Sequence, residues 1–394
     1  MKKNIIIKSF SHDGKGIGYI DNKIIFVPKT IDGEVVNAKV IKDKKNYLEG
    51  KLVSVLKKSD KRTENLCPYY DKCGGCAYLH IDKNYEEEIK TNAVIDIFKK
   101  YSNLDISPKF ISLNEYNYRN KIELKIKDNI WGFYDSASHD FIRIDNCLLA
   151  KESINNIIKD KDLFHIKNGT ITIRTNYNDE ILIKIDTENK YEIDIDNLKT
   201  KHKIIGIIVN EKIIYGTDSF IERIGGYLFE VNINSFFQIN LDILNEVFKV
   251  LKNYNFGNLV DLYCGVGTLG IACNKTELYG IEIIKEAVKD AIKNAKINKQ
   301  NNYYLLGDSS KIKEINNKID TVIIDPPRSG LNKETLNNII DINASKIVYM
   351  SCNPLTLARD INIMKDNYKI DDFYILNMFP KTKHIECLLL MSHK

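Results

Sequence analysis

Leu259-Val260-Asp261-Leu262-Tyr263-Cys264-Gly265-Val266-Gly267-Thr268 runs from an apolar strand through a glycine turn into a helical stretch. Gly265 and Gly267 let the backbone approach a ligand at a helix N-terminus. The next apolar run, Leu278-Tyr279-Gly280-Ile281-Glu282, ends on an acid seventeen residues after Gly265. A carboxylate there can accept both hydroxyls of a ribose. Further strand-like runs follow at Tyr303-Tyr304-Leu305-Leu306, Thr321-Val322-Ile323-Ile324-Asp325 and Lys346-Ile347-Val348-Tyr349-Met350, with helical periodicity between them in 284–299 and 331–342. This alternation predicts a doubly wound, Rossmann-like α/β sheet over 231–394. The loop lacks the third glycine of a dinucleotide fingerprint, which favours S-adenosylmethionine over NAD. Asp308, after the third strand, either meets the adenine or caps a helix ahead of Ser309-Ser310.

Asp325-Pro326-Pro327-Arg328 closes the fourth strand and Ser351-Cys352-Asn353-Pro354 the fifth. Both motifs are expected to project into the crevice beyond the strand carboxyl ends. Asp-Pro-Pro-Arg resembles the Asn/Asp-Pro-Pro-Tyr loop of amino methyltransferases, but a cysteine at the neighbouring strand end argues for another chemistry. Near the C-terminus lies His384-Ile385-Glu386-Cys387. A cysteine nucleophile with a carboxylate base suits methylation at C5 of a pyrimidine, because C5 becomes nucleophilic only after a thiolate has added to C6. A free thiol has a pKa near 8.5, so the site has to favour the thiolate, with Arg328 or a helix N-terminus as the candidates.

The chain has 394 residues and a net charge of +5. That length predicts two or three domains. Residues 1–62 hold fifteen Lys and Arg against seven Asp and Glu. A compact basic unit at the N-terminus points to a polyanion, nucleic acid first. Five β-branched runs punctuated by Asp13-Gly14, Asp21-Asn22, Asp32-Gly33 and Asp43-Lys44 fit a small closed barrel over 1–57. This segment resembles a TRAM domain, a small RNA-binding barrel of the oligonucleotide-binding kind. Apolar runs fall short of the ~20 residues of a membrane-spanning helix. The expectation is a cytoplasmic protein with no membrane partner, so its eight cysteines would sit in a reducing compartment.

Cys67-x5-Cys73-x2-Cys76 puts three thiols in a loop with Gly74-Gly75. Cys147 is the natural fourth ligand of a tetrathiolate site. Four thiolates suit zinc or a [4Fe–4S] cluster, and the asymmetric spacing favours iron–sulfur. The cluster would lie in a central α+β domain, 58–230, which also contains a charged amphipathic helix from about 84 to 101. Cys264, Cys273 and Cys387 are expected to be packing residues.

Taken together, these motifs resemble the RNA uracil-C5 methyltransferases, and within them the branch that modifies 23S ribosomal RNA and carries a TRAM domain and a [4Fe–4S] cluster. The resemblance implies Cys352 as nucleophile, Glu386 as the base that takes the C5 proton, and cluster ligation by Cys67, Cys73, Cys76 and Cys147. It implies cofactor contacts from Gln238, Tyr263, Thr268, Glu282, Asp308 and Asp325. Thr268 stands where some relatives have Asn. The family also implies that a helix over 83–106 packs on the catalytic domain. Ribosomal RNA is the expected partner of a monomer with no obligate protein partner. The alternatives are the same reaction on a transfer RNA T-loop, a non-catalytic iron–sulfur RNA-binding protein, and an amino methyltransferase.

Overall fold

The computed structural model describes residues 2–11, 13–135, 140–274 and 276–394. The chain forms two compact units. One comprises Met1–Asp96, Tyr134–Ile142 and Phe379–His384; the other comprises Ile97–Phe133, Arg143–Met378 and Ile385–Lys394.

The first unit contains a curled six-stranded sheet in the order Lys2–Ile6, Val35–Asp43, Tyr47–Lys57, Lys23–Pro28, Lys15–Ile20, Ser9–Phe10. The five expected strands are present, with Ser9–Phe10 added at the edge. Alternation along each strand sends Ile5, Ile7, Ile25, Val27, Val36, Ala38 and Leu48 into one core. Curling brings Lys2–Ile6 against Lys15–Ile20, and this crossing requires Gly18. A Cβ there would lie 2.4 Å from Ile5 Cγ2 and 2.9 Å from the Ile6 carbonyl. The opposite face carries Lys15, Ile17, Tyr19, Ile24, Phe26 and Tyr47, with Tyr19 in register with Ile24 and Ile24 with Tyr47. Beyond the sheet, the 64–81 segment folds as turns, held by the Tyr70 hydroxyl, which contacts His80 Nδ1 (2.6 Å) and the Ala77 carbonyl (2.8 Å). The helix Lys83–Ser102 follows.

The second unit holds two large sheets. In one, strands Ile130–Tyr134, Lys121–Lys127, Asn168–Thr175, Ile181–Asp186, Ile204–Val209 and Lys212–Gly216 lie side by side. Ile122, Leu124, Ile171, Ile173, Ile183, Ile185 and Ile207 project from one face onto the helix Glu152–Lys159. Pairing is antiparallel except between Ile181–Asp186 and Ile204–Val209, which run parallel. The helix Ile195–Lys201 supplies the crossover that this parallel pair needs.

The other sheet has the order Tyr303–Leu306, Leu278–Glu282, Leu259–Leu262, Thr321–Ile324, Lys346–Ser351, Glu386–His393, Tyr368–Leu376, Lys109–Ile111. The first five strands are parallel and Glu386–His393 is antiparallel to its neighbours. Leu259–Leu262 and Thr321–Ile324 are buried along their whole length, as parallel strands covered on both faces must be. The strand order reverses between these two strands. Their carboxyl ends therefore open the crevice in which ligands of doubly wound sheets bind. The expected fold class is borne out. Among the described residues no helix is long and apolar enough to cross a membrane.

Candidate active site

At the reversal point the chain leaves Leu259–Leu262 through Tyr263, whose φ is +61°. A bulky residue held in the left-handed region stores about 1–3 kcal/mol of strain. This turn directs the following Cys264–Gly267 segment across the strand end. Gly267, at φ +86°, caps the helix Thr268–Cys273. A Cβ on Gly267 would lie 2.9 Å from the Tyr304 hydroxyl, so only glycine fits. A Cβ on Gly265 would instead project into open space, and that opening is the floor of a cleft. Phe236, Phe237, Gln238, Asp261, Tyr263, Thr268, Asp325 and Met350 line it together with Gly265.

Glu282, at the end of its strand, accepts hydrogen bonds from the Gly265 N–H (3.0 Å) and the Ile284 N–H (2.9 Å). Its carboxylate thus fixes the glycine turn from below. Asp308 lies between Gly307, whose N–H bonds to the Glu282 carbonyl (2.9 Å), and Ser309, whose hydroxyl accepts from Tyr263 (3.4 Å); its exposed carboxylate caps the Ser309–Glu314 turn through the Ser310 N–H at 2.9 Å. Of the expected cofactor set, Gln238, Tyr263, Gly265, Thr268 and Asp325 line the cleft, Gly267 and Glu282 shape it, and Asp308 serves a helix end.

One acid was missed in the sequence. Asp261 is buried inside its strand and accepts the Gly270 N–H at 2.9 Å. Burial pushes its pKa up to about 8, with Asp325 and Glu282 adding to the shift. The available signal was an acid in the middle of an otherwise apolar buried strand. Asp261 and Asp325 thus place two carboxyl groups on the cleft wall, and the open face at Gly265 gives room for a ligand.

Beyond the cleft, Cys352 and Asn353 follow Lys346–Ser351. Asn353 caps the helix Pro354–Met364, which has proline in its first turn. Cys352 is half-buried. Burial raises its pKa and the nearby Glu386 and Asp325 raise it further, whereas Arg328 lowers it by charge and a hydrogen bond. Glu386 is buried, and its carboxyl is raised well above the usual range by burial and then by Asp325, with Arg328 opposing. Burial lifts Asp325 to about 7. Two carboxyls, one thiol and one guanidinium thus act on one another at the strand ends. Such a set can form and stabilise a nucleophile and move one proton. Cys264, Cys273 and Cys387 are buried, as expected of packing residues.

The tetrathiolate site expected of Cys67, Cys73, Cys76 and Cys147 finds no support in the structure. Cys147 packs against the isoleucine core, while its peptide N–H and C=O bond to the Asn155 side chain at 2.8 and 3.0 Å. Among the described residues no group of three or more His, Cys, Asp or Glu could hold a metal ion. The iron–sulfur cluster expected from the cysteine spacing is therefore not indicated, nor is its zinc alternative.

A glycine turn, an acid-lined cleft and a strand-end cysteine on a doubly wound sheet define a class of nucleotide-cofactor transferase folds. The sequence model of the tRNA (uracil-5-)-methyltransferase family matches residues 83–394, and that of the TRAM domain matches 2–53. The chain belongs to the tRNA (uracil-5-)-methyltransferase family. An uncharacterized RNA methyltransferase of Clostridium acetobutylicum is 33% identical over all of this chain and 98% of its own length. A Staphylococcus aureus protein of the same description is 29% identical over 98% of this chain and 97% of its own. Among solved structures, the Pyrococcus abyssi tRNA (uracil-54, C5)-methyltransferase in complex with S-adenosyl-L-homocysteine shares the fold, with a TM-score of 0.82, 24% identity and 99% of both chains covered. These matches overturn the assignment to the 23S ribosomal RNA branch, because the family that covers 83–394 is one of tRNA methyltransferases.

Proposed function

We propose that the protein transfers a methyl group from S-adenosylmethionine to C5 of a uridine in transfer RNA. Support for the tRNA comes from the tRNA (uracil-5-)-methyltransferase family and from the Pyrococcus abyssi protein, a tRNA (uracil-54, C5)-methyltransferase. Within the chain, 231–394 carries the chemistry, 58–230 joins it to the N-terminal part, and 1–57 binds RNA. The exposed rings of Tyr19 and Tyr47 on the basic barrel suit base stacking.

The observation that carries the reading is the pairing of Cys352 with Glu386 beside Asp325 at the end of the cleft. Cys352 Sγ, as thiolate, bonds to C6 of the uracil, and the electron pair moves onto C5 and O4. When bound, S-adenosylmethionine supplies an electrophilic methyl group to C5. Glu386 then takes the C5 proton, and its raised pKa makes it a stronger base than an ordinary carboxylate. The pair left at C5 re-forms the C5–C6 double bond and expels Cys352. Arg328 favours the thiolate at the start. Gln238, Tyr263, Gly265, Thr268 and Glu282 hold the cofactor, with Asp308 at its adenine end. A uridine reaches this site only when flipped out of its stack.

The test is incubation with methyl-labelled S-adenosylmethionine and, separately, unmodified tRNA or ribosomal RNA, followed by nucleoside analysis. The expected product is 5-methyluridine in the tRNA. Label in 6-methyladenine, or in ribosomal RNA alone, would contradict the proposal.

A further inference from the structure

Arg174 is the penultimate residue of the strand Asn168–Thr175 and is fully buried. Its neighbours Ile171 and Ile173 face the isoleucine core, so alternation turns Arg174 toward the opposite side of the sheet. There its Nη1 donates to the Asn232 carbonyl (3.2 Å) and the Ser235 carbonyl (2.8 Å). The guanidinium carbon lies 5.9 Å from the ring centres of both Phe220 and Phe237. No carboxylate lies within ion-pair distance of it among the described residues. Burial lowers its pKa to about 10, and the charge of Glu222 opposes that shift.

A buried guanidinium with no direct counter-ion is expensive, and an apolar side chain would fill the same space more cheaply. What an apolar side chain cannot do is bind two carbonyls of an irregular segment. Asn232 ends the strand Tyr227–Asn232, and Ser235 begins the turn that delivers Phe236, Phe237 and Gln238 to the wall of the cleft. The same turn is held elsewhere. Lys121 Nζ donates to the Ile233 carbonyl (3.4 Å), Asn120 Nδ2 to the Gln238 carbonyl (3.2 Å), and Ser235 Oγ to Asp290 (2.8 Å). Arg174 supplies the central bonds, both from Nη1, whose two N–H groups are held in the rigid guanidinium plane.

We propose that Arg174 is a positioning residue for cofactor binding: by bonding the Asn232 and Ser235 carbonyls between two phenylalanine rings, it holds the Phe236–Gln238 wall in its binding shape. The inference rests on the reading of the cleft as an S-adenosylmethionine site. It assigns a role in that site to the sheet outside the catalytic domain.

The test compares full-length wild type with Arg174→Met and Arg174→Lys. Met fills the volume without a donor, and Lys keeps a cation that can donate. Removing the two bonds should weaken S-adenosylmethionine binding, measured by calorimetry, about tenfold in the Met variant. KM for the cofactor should rise in parallel, with kcat at saturation changed less than about threefold. Lys should recover most of the loss. Equal binding by wild type and Met, or equal loss in Met and Lys, would overturn the proposal.

Amide hydrogen exchange over 233–238 is the second measurement. It should speed up in the Lys variant and more so in Met, while the isoleucine core stays protected. It also decides the case if the Met variant does not fold, since unchanged exchange in Lys would then overturn the proposal. If wild type binds no S-adenosylmethionine at all, the cofactor reading fails. Exchange over 233–238 then still reports whether Arg174 orders the wall.

Discussion

Cys352 and Glu386 lie at the same end of an antiparallel strand pair: Ser351, the last residue of one strand, is in register with Cys387, so Cys352 follows the first strand and Glu386 begins the second. The charge of Glu386 acts on the Cys352 thiol there and raises its pKa. Asp325 and Arg328, at the end of the adjacent parallel strand, complete the set. A thiol and a carboxyl 34 residues apart in sequence are therefore brought to one end of the sheet by the pairing of the strands that precede and contain them.

Arg328 opposes the rise in pKa of both Cys352 and Glu386. Burial raises the pKa of both Cys352 and Glu386, so the reactive thiolate–carboxylate form is favoured by raising the pH. The rate should climb with pH from neutrality into the alkaline range. Arg328→Met removes the one charge that opposes both shifts. Its kcat/KM profile should move to higher pH by about one unit, with a loss of about tenfold at pH 7. A profile that falls with rising pH would contradict this.

Asp261 makes the fold less stable as pH rises. Its folded pKa, about 8, lies above its ordinary value of 3.8. Between these two values the unfolded chain carries the charge and the folded chain keeps the proton. The associated stability is complete below pH 4 and declines through pH 8, by about 1.4 kcal/mol per pH unit. Asp261→Asn can still accept from Gly270 and lacks this dependence. Its melting temperature should match wild type near pH 4 and exceed it increasingly up to pH 8.

Gly267→Ala combines a strained φ with a clash against the Tyr304 hydroxyl. Thermal unfolding should register a loss of about 1–3 kcal/mol. Calorimetry should show a larger proportional loss in S-adenosylmethionine binding than in tRNA binding.

The barrel should act on RNA alone. Tyr19 and Tyr47 are exposed on its outer face, and Lys8 Nζ lies 5.3 Å from the Tyr19 ring centre. Tyr19→Ala with Tyr47→Ala should weaken tRNA affinity by about 1–3 kcal/mol per stacked base while leaving cofactor binding unchanged. Filter binding and calorimetry together check this.

Much of the fold was legible because burial on both faces writes parallel strands as unbroken apolar runs, and Leu259–Leu262 and Thr321–Ile324 are such runs. The barrel was legible from its turns. Asp261 was not, because it reads as one residue of a strand until the sheet order places it at the reversal point. Arg174 hides for the same reason among alternating isoleucines and threonines. Cysteine spacing misled, since three thiols in a loop say nothing of where a fourth packs, and Cys147 lies on an isoleucine core. The class of RNA was out of reach of the motifs, which encode the chemistry at uracil.

The central claim is that Cys352 bonds to uracil C6 and Glu386 ends the cycle. Glu386→Gln keeps the shape of the site and lacks the base, so the methylated nucleotide should remain attached to the protein. Incubated with tRNA and S-adenosylmethionine, this variant should give a denaturation-resistant protein–RNA adduct. Peptide mapping should place the adduct on Cys352, and Cys352→Ala should give neither adduct nor product. Normal turnover by Glu386→Gln without an adduct, or full activity in Cys352→Ala, would contradict the account.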